Sequence, residues 1–153
     1  MIEPFAARLA AAQGGTHALI DLDAFAGNIA YVRSQLPEGA EVIAVIKANA
    51  YGHGLVPCGR AALAAGASRL AVARIEEALL LRAAGVVAPI LVLSPANPAL
   101  ARQAAESGIA LAVGSATGLN RLLDALGDDL PPLPVHLKVD TGLGRGGAPL
   151  REW

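Results

Sequence analysis

The sequence has little of what marks several classes of protein. Its one cysteine, Cys58, excludes an internal disulfide, and one thiol with three histidines offers no spacing typical of a zinc site. No apolar run reaches about 18 residues, the length that a membrane-spanning helix requires. The net charge of −1 gives no basic surface for nucleic acid. We therefore predict a globular protein without metal that binds a small molecule, with Cys58 as a small buried side chain.

The first twelve residues lack the features of a secretory signal. Glu3 stands near the start and Arg8 in the middle, where a signal peptide would have a basic start and then an apolar core. We predict a cytoplasmic protein. Of its 153 residues 54% are hydrophobic and 16% are charged, a composition typical of a globular domain.

Residues 42–54, V-I-A-V-I-K-A-N-A-Y-G-H-G, are the most informative stretch. The run of Val, Ile and Ala predicts a strand buried on both faces of a parallel sheet. Lys47 ends that strand, and Tyr51 and His53 follow in a glycine-rich loop. Taken alone, a lysine after a strand is most often a solvated charge. However, ligands of parallel α/β proteins bind at this end of the strands, so the loop is a candidate site.

Strand and helix signals alternate along the chain. Residues 16–22 are compatible with a short strand, and Asp21 is a candidate N-cap for a helix. Five further strands are predicted at residues 42–47, 69–73, 89–93, 109–113 and 135–140. Helices are predicted between them, after Pro57, over residues 75–84, from Ala99 and after Ser115, which is a candidate cap. Glu76 and Glu77 are interpreted as partners of a helix dipole. These alternating signals predict one α/β domain with a parallel sheet.

The fifth strand carries a second polar cluster. Alternation places His136, Lys138 and Asp140 on one face, which points either into a barrel or, at a sheet edge, towards water. Gly142, Gly144 and Gly147 also fit the G-x-G-x-x-G pattern of dinucleotide-binding folds. That interpretation is disfavoured, because the pattern follows the fifth strand and not the first.

The segments V-I-A-V-I-K-A-N-A-Y-G-H-G and K-V-D-T-G-L-G-R resemble those of the alanine racemases, which depend on pyridoxal 5'-phosphate (PLP). The resemblance implies that Lys47 forms a Schiff base with PLP and that Tyr51 binds its phosphate. It implies that Leu93 packs beside the cofactor. Arg145 would contact the phenolic oxygen of the cofactor and the substrate carboxylate. Lys138 would be carbamylated, as in several members, to hold Arg145.

The chain departs from the family pattern in the same segment. Leu143 replaces the usual methionine, a mild apolar change. Gly146 and Gly147 stand where the family has a bulkier residue followed by glycine, which predicts a looser loop.

The resemblance also implies the fold and the function. We expect residues 1–153 to be the N-terminal part of a (β/α)8 barrel, with about five parallel strands alternating with helices. The rest of the barrel and a C-terminal β domain, which supplies the opposing catalytic base in a homodimer, are expected outside this chain. The implied reaction interconverts L-alanine and D-alanine for cell-wall precursors.

Three alternatives remain open at this point. One is a racemase of another amino acid, such as serine. Another is a non-catalytic PLP-binding barrel protein of cofactor homeostasis, a group that shares the lysine but not the A-N-A-Y-G-H-G loop. The third is a purely structural fragment.

Overall fold

The computed structural model describes residues 16–127 and 132–149, in which strands and helices alternate. The strands of the main sheet are β1 (Ile43–Val45), β2 (Arg69–Val72), β3 (Ile90–Val92), β4 (Ile109–Val113) and β5 (Val135–Leu137). The helices are α1 (Leu22–Ser34), α2 (Leu55–Ala64), α3 (Ile75–Ala83), α4 (Ala101–Glu106), which follows a 3-10 turn (Pro98–Leu100), and α5 (Ala116–Leu126). A helical turn (Lys47–Tyr51) follows β1, and two short strands, β6 (Val139–Asp140) and β7 (Ala148–Pro149), pair with each other.

The main sheet is parallel, and its strands lie in chain order from β1 to β5. Its register runs through the apolar residues: Leu70 of β2 pairs with Ala44 and with Ile90, and Ile90 pairs with Ile109. Because a helix lies between each pair of neighbouring strands, every connection is a βα crossover. This arrangement confirms the predicted partial barrel.

Two predicted helix caps are confirmed. The carboxylate of Asp21 accepts the N–H of Ala24 at 2.8 Å, and the hydroxyl of Ser115 accepts the N–H of Gly118 at 3.0 Å. The strand considered for residues 16–22 is wrong. Residues 16–21 form no strand, and α1 already begins at Leu22, because the Asp21 side chain satisfies a free N–H group of its first turn.

The core lies between the sheet and the helices. Most of the largest side chains with almost no exposed surface belong to the strands or to α3, and they include Leu70, Ile75, Leu81, Ile90 and Ile109. Cys58 is also fully buried, as predicted. The edge strands are different, since Val45 of β1 is 43% exposed and Leu137 of β5 is 59% exposed. Apolar surface therefore remains open at both edges of the sheet.

Arg82 hydrogen-bonds to two loops on the side of the fold opposite the C-terminal ends of the strands. Its guanidinium donates to the carbonyls of Val86 and Ala88, which lead into β3, at 2.7 and 2.8 Å. It also donates to those of Ser107 and Gly108, which lead into β4, at 3.0 and 3.3 Å. Partial burial lowers its pKa, but a guanidinium stays charged at neutral pH. Arg82 thus joins the segments that lead into β3 and β4.

The predicted fifth strand is interrupted. Lys138 donates its N–H to the carbonyl of Val113 at 2.8 Å, as a strand residue would, yet the sheet ladder ends at Leu137. Residues 139–140 instead pair with residues 148–149, which return alongside them.

In the described part of the chain, no helix is long and apolar enough to cross a membrane.

Candidate active site

A cleft of about 790 Å³ lies at the C-terminal ends of the strands. The segments that follow β1, β3 and β4 contribute Lys47, Leu93 with Ser94, and Gly114 with Ser115. The segment after β5 contributes Lys138 and the loop from Arg145 to Gly147. The structure thus brings together four of the predicted site residues, which are Lys47, Leu93, Lys138 and Arg145.

The lining of this cleft is cationic. Lys47, Arg121, Lys138 and Arg145 all line it, and no aspartate or glutamate is among its described lining residues. Arg121 was not predicted from the sequence, because it lies on α5 outside any recognisable motif. Four cations without a carboxylate favour an anionic ligand, since a neutral one would leave their charges uncompensated.

The backbone after Lys47 is left-handed. Ala48, Asn49, Ala50 and Tyr51 have φ values of 52°, 55°, 53° and 55°, so the helical turn at Lys47–Tyr51 has the unusual hand. None of these residues is glycine, and the left-handed conformation costs about 1–2 kcal/mol for each L residue, or about 4–8 kcal/mol for four. We call residues 48–51 the left-handed turn. Its conformation must be stabilised by other interactions of these residues.

Hydrogen bonds within the segment supply part of that stabilisation. The N–H of Ala50 donates to the carbonyl of Ile46 at 2.8 Å, and the N–H of Gly54 donates to the carbonyl of Asn49 at 2.9 Å. The side-chain oxygen of Asn49 accepts the N–H of Leu55, the first residue of α2, at 2.8 Å. These bonds fix the path between the lysine and α2.

A glutamate from another βα unit also holds the left-handed turn. The carboxylate of Glu77 accepts the N–H of Asn49 at 3.2 Å, and its other oxygen accepts the N–H groups of Ala73 and Arg74 at 3.0 and 3.1 Å. Sequence reasoning assigned Glu77 only a dipole role. Its position in the first turn of α3 indicates a capping side chain, but nothing local to it indicates the contact with residue 49.

The loop that carries Arg145 folds back on the strand before it. One carboxylate oxygen of Asp140 accepts the N–H groups of Gly142 and Gly144, both at 3.0 Å. These two bonds, with smaller contributions from the N–H of Leu143 and the charge of Lys138, lower the pKa of Asp140. Gly147 then lies against the backbone of residues 138–140. The loop is therefore closely packed at Gly147, while the loosening expected from Gly146 stays a prediction.

One further predicted site residue, Tyr51, is placed differently. Tyr51 is 61% exposed and is not among the lining residues of the cleft. His136 also lies outside that lining. The Nδ1–H of His53 donates to the carbonyl of Ala50 at 2.8 Å, so this ring makes a local hydrogen bond. In the described residues, no cluster of histidine, cysteine or acidic side chains is suited to a metal ion.

The fold and the cleft together define a class. A parallel βα sheet, with cationic side chains converging beyond the C-terminal ends of its strands, is the arrangement of barrel proteins that bind anionic ligands there. Residues 20–153 match the family described as alanine racemase, N-terminal domain. The chain belongs to the alanine racemase family.

Individual relatives agree with this assignment. The alanine racemase of Thermobifida fusca is 49% identical over 138 residues, which are 89% of this chain and 36% of that protein. The crystal structure of the alanine racemase of Bacillus anthracis with bound L-Ala-P has a TM-score of 0.81 and 43% identity, over 86% of this chain and 34% of that one. The histidine racemase of Leuconostoc mesenteroides has a TM-score of 0.78 and 38% identity, over 87% of this chain and 36% of that one. The chain therefore spans about a third of the length of these relatives.

Proposed function

We propose that the full-length polypeptide containing this chain is a PLP-dependent racemase that interconverts L-alanine and D-alanine. The observation that carries the proposal is that Lys47, Lys138 and Arg145 line one cleft, with no carboxylate among its described lining residues. The product D-alanine would supply cell-wall precursors. The protein would act in the cytoplasm as a homodimer, with residues 1–153 forming the N-terminal part of its barrel domain.

The cleft suits PLP chemically. PLP carries a phosphate and an aldehyde, which require cations and an amine, and Lys47 is a partly buried amine in a cationic lining. Leu93 adds an apolar side chain to the same lining, where it can pack against a flat ring. When bound, PLP withdraws electrons from the amino acid and makes its Cα–H acidic.

The residues of this chain would divide the work. Lys47 would hold the cofactor through its Nζ atom, and as a free amine it would exchange the proton at the substrate Cα on one face. Arg145 binds the substrate carboxylate and the phenolic oxygen. Tyr51 would bind the phosphate, a role that rests on the family resemblance and on its position four residues after Lys47.

Lys138 would serve as an anion after carbamylation. Its ammonium lies 3.3 Å from the point where a side chain on Gly146 would begin, so it is adjacent to the Arg145 loop. Neither Lys138 nor Arg145 has a carboxylate within salt-bridge distance among the described residues. Addition of CO2 to the neutral amine, with loss of one proton, gives a carbamate whose negative charge would attract Arg145.

A second candidate is a racemase of another amino acid. The similarity to the Leuconostoc histidine racemase favours it, because the two chains share the fold over 87% of this one. Histidine, with the serine already considered from the sequence, is therefore an alternative substrate to compare with alanine.

Turnover by the full-length protein tests the proposal. We expect racemisation of alanine with kcat/KM above that for serine and histidine. Lys47→Ala should abolish it, since loss of a positioned proton-transfer group typically costs about a hundred- to ten-thousandfold. Arg145→Ala should keep PLP bound but lower turnover. Retained PLP without turnover of any of the three amino acids would instead indicate a non-catalytic PLP-binding protein.

A further inference from the structure

We infer that Glu77 is a positioning residue, which sets the direction of the Lys47 side chain by holding the left-handed turn. The inference rests on the proposed function, because Lys47 is there the group that anchors PLP and exchanges the proton. Glu77 itself does not line the cleft. It acts through the backbone that follows Lys47.

The two carboxylate oxygens of Glu77 join the ends of two strands. One accepts the N–H of Asn49, two residues after Lys47, at 3.2 Å. The other accepts the N–H groups of Ala73 and Arg74, just after β2, at 3.0 and 3.1 Å. All three donors are backbone groups, and no salt bridge of Glu77 is present among the described residues. A single side chain thus fixes the spacing between the end of β1 and the end of β2.

This contact matters for Lys47 because the backbone changes hand directly after it. Ala48 has φ 52° and ψ 52°, so the peptide plane on the C-terminal side of Lys47 belongs to the left-handed turn. If the turn relaxed to the favoured hand, that plane would rotate and the Cα–Cβ bond of Lys47 would turn with it. A displacement of about 1 Å at a reacting group can cost about a hundredfold in rate.

The acceptor must be a carboxylate. Three N–H groups point at two oxygens, and a carboxylate presents only acceptors. In Glu77→Gln, the amide offers one oxygen and places its own NH2 group against the remaining donor. The variant therefore keeps the size of the side chain and loses either the contact with Asn49 or the contacts with Ala73 and Arg74.

The chain offers a matched control one residue away. Glu76 lies on the same first turn of α3, but its carboxylate pairs at 3.1 Å with the side chain of Arg74, and the two side chains are 46% and 71% exposed. It accepts no N–H from the left-handed turn. Glu76→Gln removes the same charge from the same helix without touching the turn.

The first experiment measures amide hydrogen exchange in the cofactor-free, full-length protein. In the wild type we expect the Asn49 amide to be protected. In Glu77→Gln we expect residues 48–54 to exchange at least about tenfold faster, with α2 and β3 unchanged, and in Glu76→Gln we expect the wild-type pattern. This result does not depend on racemase activity, so it judges Glu77 even if the proposed function fails.

The second experiment measures alanine turnover with PLP bound. We expect Glu77→Gln to lower kcat by about ten- to a hundredfold with little change in KM, because the amine is misplaced and the substrate contacts remain. Glu76→Gln should match the wild type. Wild-type exchange over residues 48–54, or wild-type kcat, in Glu77→Gln overturns the inference. Should that variant fail to fold, an Asn49 amide that exchanges at the unprotected rate in the wild type overturns it equally.

Discussion

Gly147 holds the Arg145 loop against the strand, and replacing it should loosen the site. It has φ +111°, and a Cβ atom there would lie 2.7 Å from the N of Asp140 and from the carbonyl carbon of Val139. Ordinary van der Waals contact begins near 3.4 Å, so Gly147→Ala must move the loop or the strand by about 0.7 Å. Both neighbours are backbone atoms and cannot rotate away.

Two terms contribute to the expected effect. The disfavoured φ costs about 1–3 kcal/mol, and the forced contact costs about 1–3 kcal/mol more. Gly142→Ala separates the two terms. Gly142 lies in the same loop at φ +125°, but a Cβ atom there would meet nothing within 4 Å. It therefore carries the first cost without the second.

The assay compares the two variants in the full-length protein. Urea unfolding should place Gly147→Ala below Gly142→Ala by the contact term, about 1–3 kcal/mol. Because Arg145 lies in this loop and would move with it, kcat/KM for alanine should fall by up to about a hundredfold in Gly147→Ala and by less in Gly142→Ala. Equal stability and equal kcat/KM in the two variants would refute the close packing of Gly147 as the cause.

Three further predictions concern the rest of the chain. Arg82→Met should lower the free energy of unfolding by about 2–4 kcal/mol, because four carbonyls lose a charged donor. Arg102→Met loses one such bond and should lower it less, so equal losses in the two variants would contradict this. Burial raises the pKa of the Cys58 thiol, so alkylation of this thiol at pH 8.5 should be slow in the native protein and fast in urea. Rapid alkylation of the native protein would argue against this burial. The 153-residue chain expressed alone should aggregate and not racemise alanine, because β1 and β5 leave apolar edges open; a soluble, active monomer would overturn this.

Most of the fold follows from local patterns in the sequence. Runs of Val, Ile, Leu and Ala predict the buried strands, because a strand covered on both faces needs no polar residue. Asp21 and Ser115 were recognisable as caps because their side chains compete for local N–H groups. The end of β5 was not predictable, since its interruption at Lys138 depends on the return of residues 148–149.

Part of the lining of the cleft was predictable from the sequence, but the backbone conformation beside it was not. Lys47 and Arg145 were found because each follows a predicted strand within a recognisable motif. The left-handed turn was not found, because A-N-A-Y contains no glycine and L residues disfavour that hand. The contact between Glu77 and Asn49 joins residues 28 positions apart, and no local pattern encodes it.

The most direct test of the account is to locate the cofactor on the chain. The sequence has two lysines, Lys47 and Lys138, so reduction of the PLP-bound full-length protein with borohydride followed by tryptic mapping distinguishes them clearly. The account predicts a pyridoxyl group on Lys47, which blocks cleavage there and yields a peptide of residues 34–60. A pyridoxyl group on Lys138 or on a lysine outside this chain, or none in a folded protein, would contradict the central assignment.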